Sequence, residues 1–129
     1  TVVVLDGDIL EKPVDAADAV GLLSRLAGRR HTVISSLALV GGAAGEPGVT
    51  AHEATDVDFL PLDRAAIARY VRTEEPMDKA GAYAIQGLGG MFVERIEGSY
   101  STVVGLPLAQ TASLLAASGI ELWPSESAQ

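Results

Sequence analysis

Short β-branched runs alternate with capped helical stripes, hairpin-type turns join neighbouring runs, and no single period dominates. Together these three observations predict an α/β fold with a mixed central sheet and flanking helices, rather than a strictly parallel one. With 129 residues, 48% of them apolar and no Cys, the chain fits one domain spanning residues 1–129. Its core needs no disulfide staple.

Each element has a local cause. Thr1 to Leu5 is a β-rich run, closed by the hairpin signal Asp6-Gly7-Asp8 and resumed at Ile9-Leu10 until Pro13 stops it. Asp15 is placed to cap a helix through Ala27, with Ala19, Leu22, Leu23 and Leu26 on one face and Gly28 at its end. His31 to Val40 and Val49 to Leu60 read as two strands of one hairpin, joined by a loop over Gly41 to Gly48. Asp63 caps a second helix to about Arg72, with Ile67, Tyr70 and Val71 as its buried stripe. Thr73 to Gly90 has no clean period and holds Pro76 and four glycines, so loops and short turns are expected there. Met91 to Ile96 returns as a strand, Glu97 to Thr102 turns, and Pro107 opens a last helix ended by Gly119. The tail over 121–129 is expected to be loosely held.

Charge and composition remove several function classes. A net charge of −8 argues against coating duplex nucleic acid, where affinity comes from Lys and Arg on phosphates. No apolar run approaches the ~18 residues of a membrane span, and a soluble, cytoplasmic protein is the expectation. Without Cys a thiol nucleophile is excluded, and no serine elbow is present. His31 and His52 have no neighbour at metal-ligand spacing and read as structural. A chain that opens on Thr1 inside a β-branched run reads as the remainder of a longer domain.

Only two of the nine basic residues are lysines, Lys12 and Lys79, and both stand beside turns. Where Arg is otherwise preferred, a retained Lys suits a site that wants a compact point charge on phosphate oxygens. Two solvated surface lysines are the plain alternative. Gln86-Gly87-Leu88-Gly89-Gly90 matches neither a Walker loop nor a dinucleotide fingerprint, and flexible punctuation is its simplest reading. The Gln86 amide offers a donor beside an acceptor, which suits the edge of uracil or thymine. The same amide, flipped, suits cytosine, so discrimination requires neighbours that pin it.

Thr1-Val2-Val3-Val4-Leu5-Asp6-Gly7, Lys12-Pro13 and Leu26-Ala27-Gly28-Arg29-Arg30-His31-Thr32-Val33 occur in that order. They are followed by Glu75-Pro76-Met77-Asp78-Lys79-Ala80-Gly81-Ala82-Tyr83-Ala84-Ile85-Gln86-Gly87, then Phe92 to Tyr100 and Val103 to Leu108. This ordered set, from Thr1 to about Ile120, resembles the Maf family of nucleoside triphosphate pyrophosphatases. The resemblance implies an α/β structure around a mixed sheet, related to inosine triphosphatases and often dimeric, so a homodimer is among the expected assemblies. It implies hydrolysis of nucleoside triphosphates to monophosphate and pyrophosphate with a divalent metal cation, Mg or Mn, in clearing the nucleotide pool. Asp-Lys-Ala-Gly-Ala-Tyr followed by Ile-Gln-Gly is similar to the branch acting on dTTP and UTP.

By the same resemblance, Thr1 and Gln86 match positions tied to base selection, Lys12 and Lys79 match lysines facing the triphosphate, and Asp78 stands beside the second. The resemblance places the family's proton-accepting aspartate immediately before Thr1 and a Ser-x-Ser-x-Arg-Arg phosphate loop further upstream. Neither is in this sequence, so these residues alone are expected to be inactive or nearly so. Glu11 stands where glycine is usual before Lys-Pro. A second reading takes the same residues as a nucleotide-binding or regulatory module, linked to septum formation, that does not turn over.

Overall fold

The computed structural model describes residues 1–41 and 48–123. Its centre is a five-stranded sheet of β1 (Val2–Leu5), β2 (Asp8–Leu10), β3 (Arg30–Leu39), β4 (Val49–Phe59) and β5 (Val93–Glu97), in the spatial order β2-β1-β3-β4-β5. The α/β architecture is the expected one. The mixed sheet needs a correction in detail, because all four pairings among the described residues are antiparallel. The cause lies in the connections. β1 and β2 are joined by the two-residue turn Asp6-Gly7, with φ of 51° and 82°, the paired left-handed conformation a tight hairpin requires. β3 and β4 pair along their whole lengths, from Arg30↔Asp58 to Leu39↔Val49. Of the loop expected over 41–48, residues 42–47 lie outside the described residues, as do 124–129 of the expected loose tail; Trp123, just before the latter, is 82% exposed.

Alternation puts Val3 and Leu5, His31, Val33 and Ser35, and Thr55, Val57 and Phe59 at the buried positions of their strands. Against them pack α1 (Ala16–Leu26) and α2 (Arg64–Arg72), which contribute Ala19, Leu23 and Leu26, and Ile67, Tyr70 and Val71. Each fully buried Leu stabilises by about 1.5–3 kcal/mol relative to exposure. Both helices start where their caps dictate: the Asp15 carboxylate accepts from Asp18 N–H and the Asp63 carboxylate from Ala66 N–H, each at 2.7 Å. Leu22 is only half-buried, at the margin of the stripe.

Two boundaries differ from expectation. Met91 and Phe92 belong to a 3-10 turn over Leu88–Phe92, so β5 begins at Val93. The turn expected over 97–102 is instead interrupted by a short helix, α3 (Tyr100–Val104), which precedes α4 (Leu108–Ala117). Its start is anchored where Ser99 N–H donates to the Thr55 hydroxyl at 3.0 Å, a partner 44 residues away that no local pattern reveals. No residue of α4 is buried. On the solvent side of the sheet Arg30 grips Asp58 with two hydrogen bonds of 2.8 and 3.0 Å and reaches Glu97 at 3.1 Å. These groups are half-exposed, and such pairs contribute little to stability.

Candidate active site

One cavity of about 380 Å³ gathers residues from four parts of the chain: Thr1 just before β1, Lys12 after β2, Asp78 at the end of one 3-10 turn with Lys79 following it, and Gln86 before the glycine-rich turn. Its apolar wall includes Val3, Val33, Tyr83 and Val103. A second hollow shares Thr1, Lys12 and Ala80 with it and adds Glu11.

Backbone geometry brings the two lysines to one place. Pro13 ends the β2 extension, and the Glu11 carbonyl just before Lys12 accepts from Gly81 N–H at 3.2 Å. Gly81 takes φ of +71° with Val3 side-chain atoms only 3.0 Å from where a Cβ would stand, so a side chain there would be both strained and crowded. That contact ties the segment bearing Lys79 to the hairpin bearing Lys12. The Glu11 side chain is exposed, and its carbonyl makes the joint. Lys79 Nζ is 3.4 Å from Asp78 Oδ1, with 42% of the Lys79 side chain and 77% of that of Asp78 exposed, so the ammonium is only loosely engaged.

Thr1 is held from beneath. Its hydroxyl shares a 2.8 Å hydrogen bond with Ser35 Oγ, and Ser35, fully buried, donates to the Thr102 carbonyl at 2.7 Å. The cavity wall is held likewise: the Tyr83 hydroxyl and His31 Nε2 share a 2.7 Å hydrogen bond, and both rings meet Phe59 edge-on. Burial pushes the Tyr83 phenol up and the His31 imidazole down, to about 4, so the pair is neutral at physiological pH. His31 is therefore a core residue under the site, as its lack of metal-spaced neighbours suggests.

The glycine-rich segment is close-packed, which corrects its reading as flexible punctuation. The Glu75 carboxylate accepts from Leu88 N–H at 2.9 Å, from Gly89 N–H at 3.0 Å and from the Tyr70 hydroxyl. Tyr70 Oη in turn accepts from Ala84 N–H at 3.1 Å. A Cβ at position 87 would lie 2.0 Å from Glu75 Oε1, and one at position 89 would lie 2.6 Å from Tyr70 Oη. Burial alone would raise the Glu75 carboxyl, yet the hydrogen bonds from Tyr70, Leu88 and Gly89 hold it below the usual carboxylate range. The sequence pattern places Tyr70 only in a core stripe and Glu75 only in a motif, and no local signal marks either as a partner of the glycine-rich turn.

Among the described residues no three His, Asp or Glu side chains converge on a metal-binding arrangement. Among the described residues the cavity offers a divalent cation a single carboxylate, Asp78. That donor set fits a magnesium-like ion arriving on phosphate oxygens, which needs only one or two protein carboxylates, and does not fit an all-protein cage.

A family model described as Maf-like protein matches residues 1–118. The chain is 54% identical over 120 residues to a dTTP/UTP pyrophosphatase of Burkholderia pseudomallei, covering 93% of this chain and 57% of that protein. It is 54% identical over 117 residues to one of Shewanella denitrificans, covering 91% and 58%. To one of Hahella chejuensis it is 52% identical over 123 residues, covering 95% and 60%. The chain thus spans well under two thirds of the length of these relatives.

Proposed function

The chain belongs to the Maf-like protein family, and from that premise we propose that it carries the nucleotide pocket of a pyrophosphatase acting on pyrimidine nucleoside triphosphates, dTTP and UTP foremost. The supporting observation is the shared wall: two ammonium groups, Lys12 and Lys79, and one carboxamide, Gln86, border a single cavity together with Thr1 and Asp78.

Those parts suit the reaction. Water adds to the α-phosphorus, the bond from that phosphorus to the bridging oxygen breaks, and the oxygen leaves on pyrophosphate. The charge on the phosphate oxygens must be spread, and Lys12 and Lys79 do this as point charges. They create a local positive field in a chain whose net charge is −8. Gln86 reads the base edge, and the Thr1 hydroxyl, fixed by Ser35, lies at the same rim. The water proton passes to a carboxylate that the family resemblance assigns to the position immediately before Thr1. A bound divalent cation, magnesium or manganese, would neutralise phosphate charge, with Asp78 the cavity carboxylate that holds it or its waters.

Calorimetry with nonhydrolysable UTP, CTP and GTP analogues tests the reading on this chain. The UTP analogue is expected to bind most tightly, and Gln86→Ala to blunt that preference while leaving the affinity for inorganic tripolyphosphate unchanged. Absence of binding heat for all three analogues overturns the assignment, and unchanged base preference in the variant removes Gln86 from it.

A further inference from the structure

A carboxamide can read a base edge only if it is delivered at a fixed place and direction beside that edge, which needs a backbone held on both sides; the amide's own rotation is then set by the groups it meets in the pocket. The chain around Gln86 is held on both sides. Two residues before it, Ala84 N–H donates to Tyr70 Oη at 3.1 Å; two and three residues after it, Leu88 and Gly89 N–H donate to Glu75 at 2.9 and 3.0 Å. The Tyr70 hydroxyl donates to the same carboxylate, so one connected network spans Gln86 from both flanks. Within that span a turn is closed by Gly87 N–H on the Ala84 carbonyl at 3.1 Å.

The network is anchored in rigid structure. Tyr70 is 4% exposed in the last turn of α2, its ring edge-on to Phe92 with centroids 4.8 Å apart. Neither Tyr70 nor Glu75 lines the nucleotide cavity.

We propose that Tyr70 and Glu75 are positioning residues that clamp the backbone on both sides of Gln86 and thereby set base discrimination at the nucleotide pocket. This inference rests on the reading of that pocket given above. The clamp acts first on the turn that carries Gln86; Lys12 lies on another segment, whereas Lys79 directly follows the turn Glu75–Asp78, so Tyr70→Phe, which leaves the Glu75 charge in place, is the variant that separates base reading from phosphate binding.

The test pairs a structural readout with a binding one. Tyr70→Phe keeps the ring and its packing but removes the hydroxyl. Glu75→Gln, at a half-buried position, keeps the shape but turns one acceptor into a donor facing an N–H group. Amide hydrogen exchange at Ala84, Leu88 and Gly89, and calorimetry with UTP and CTP analogues and tripolyphosphate, are measured for both variants. The expected result is faster exchange at Ala84 in Tyr70→Phe and at Leu88 and Gly89 in Glu75→Gln, and a roughly tenfold fall in the UTP-to-CTP affinity ratio in both, with tripolyphosphate affinity unchanged in Tyr70→Phe. Unchanged exchange overturns the clamp. Faster exchange with an unchanged ratio overturns its link to the base. An unmodified chain that does not discriminate between the analogues overturns the reading of the pocket itself, and the inference with it. Should Tyr70→Phe fail to fold, Glu75→Gln still reads the exchange at Leu88 and Gly89 and the UTP-to-CTP ratio.

Discussion

Lowering the pH from about 7.5 to about 5 is expected to remove about 2 kcal/mol of folding stability through one imidazole. His31 is 2% exposed, and its Nδ1 is buried with no hydrogen-bond partner, so nothing in the fold compensates a second proton on the ring. Burial pushes its pKa from 6.5 down to about 4, against a weaker upward pull from Asp58 and Asp56. The unfolded chain takes up this proton near pH 6.5, the folded one only near pH 4. Between those values the unfolded state binds more protons, so stability is full above pH 6.5 and falls as the pH drops toward 4. The whole gap corresponds to about 3 kcal/mol, of which about 2 is gone by about pH 5. Urea denaturation at the two pH values, for the unmodified chain and for His31→Gln, isolates the effect. Gln retains a group able to meet the Tyr83 hydroxyl but does not titrate. The unmodified chain should lose about 2 kcal/mol more than the variant. Equal losses would refute the argument that a buried neutral imidazole underlies the pocket wall.

Two further outcomes follow from the site. Lys12→Ala is expected to weaken tripolyphosphate binding about tenfold or more, as loss of a charged hydrogen bond does, and to make it less sensitive to salt; an unchanged affinity by calorimetry would make Lys12 an ordinary solvated lysine. Gly89→Ala is expected to destabilise the fold by about 1–3 kcal/mol, because the added methyl would stand 2.6 Å from Tyr70 Oη and 2.8 Å from the Ala84 carbonyl oxygen. If the segment were flexible punctuation, urea denaturation would show the same substitution as neutral or slightly stabilising.

Much of this protein was legible in one dimension because its causes are local. Asp15 and Asp63 start helices by capping donors three residues away, Asp6-Gly7 turns a hairpin because both positions accept left-handed backbone, and alternation along β3 and β4 names the buried face. The residue types bordering the cavity, Lys12, Lys79, Gln86, Thr1 and Asp78, were legible too, from the scarcity of lysine and from the ordered resemblance. Their gathering around one hollow was decided by tertiary structure, through the Glu11–Gly81 hydrogen bond and the seat of Gly81 on Val3. So was the meaning of the glycines at 87 and 89, which depends on a carboxylate 12 and 14 residues earlier and a tyrosine on another helix. The short helix at Tyr100 likewise depends on Thr55, far away in sequence. Capping and alternation act over one to four residues and leave a pattern in the chain; a close approach between distant segments leaves none, because its strength depends on distances that exist only once the chain has folded.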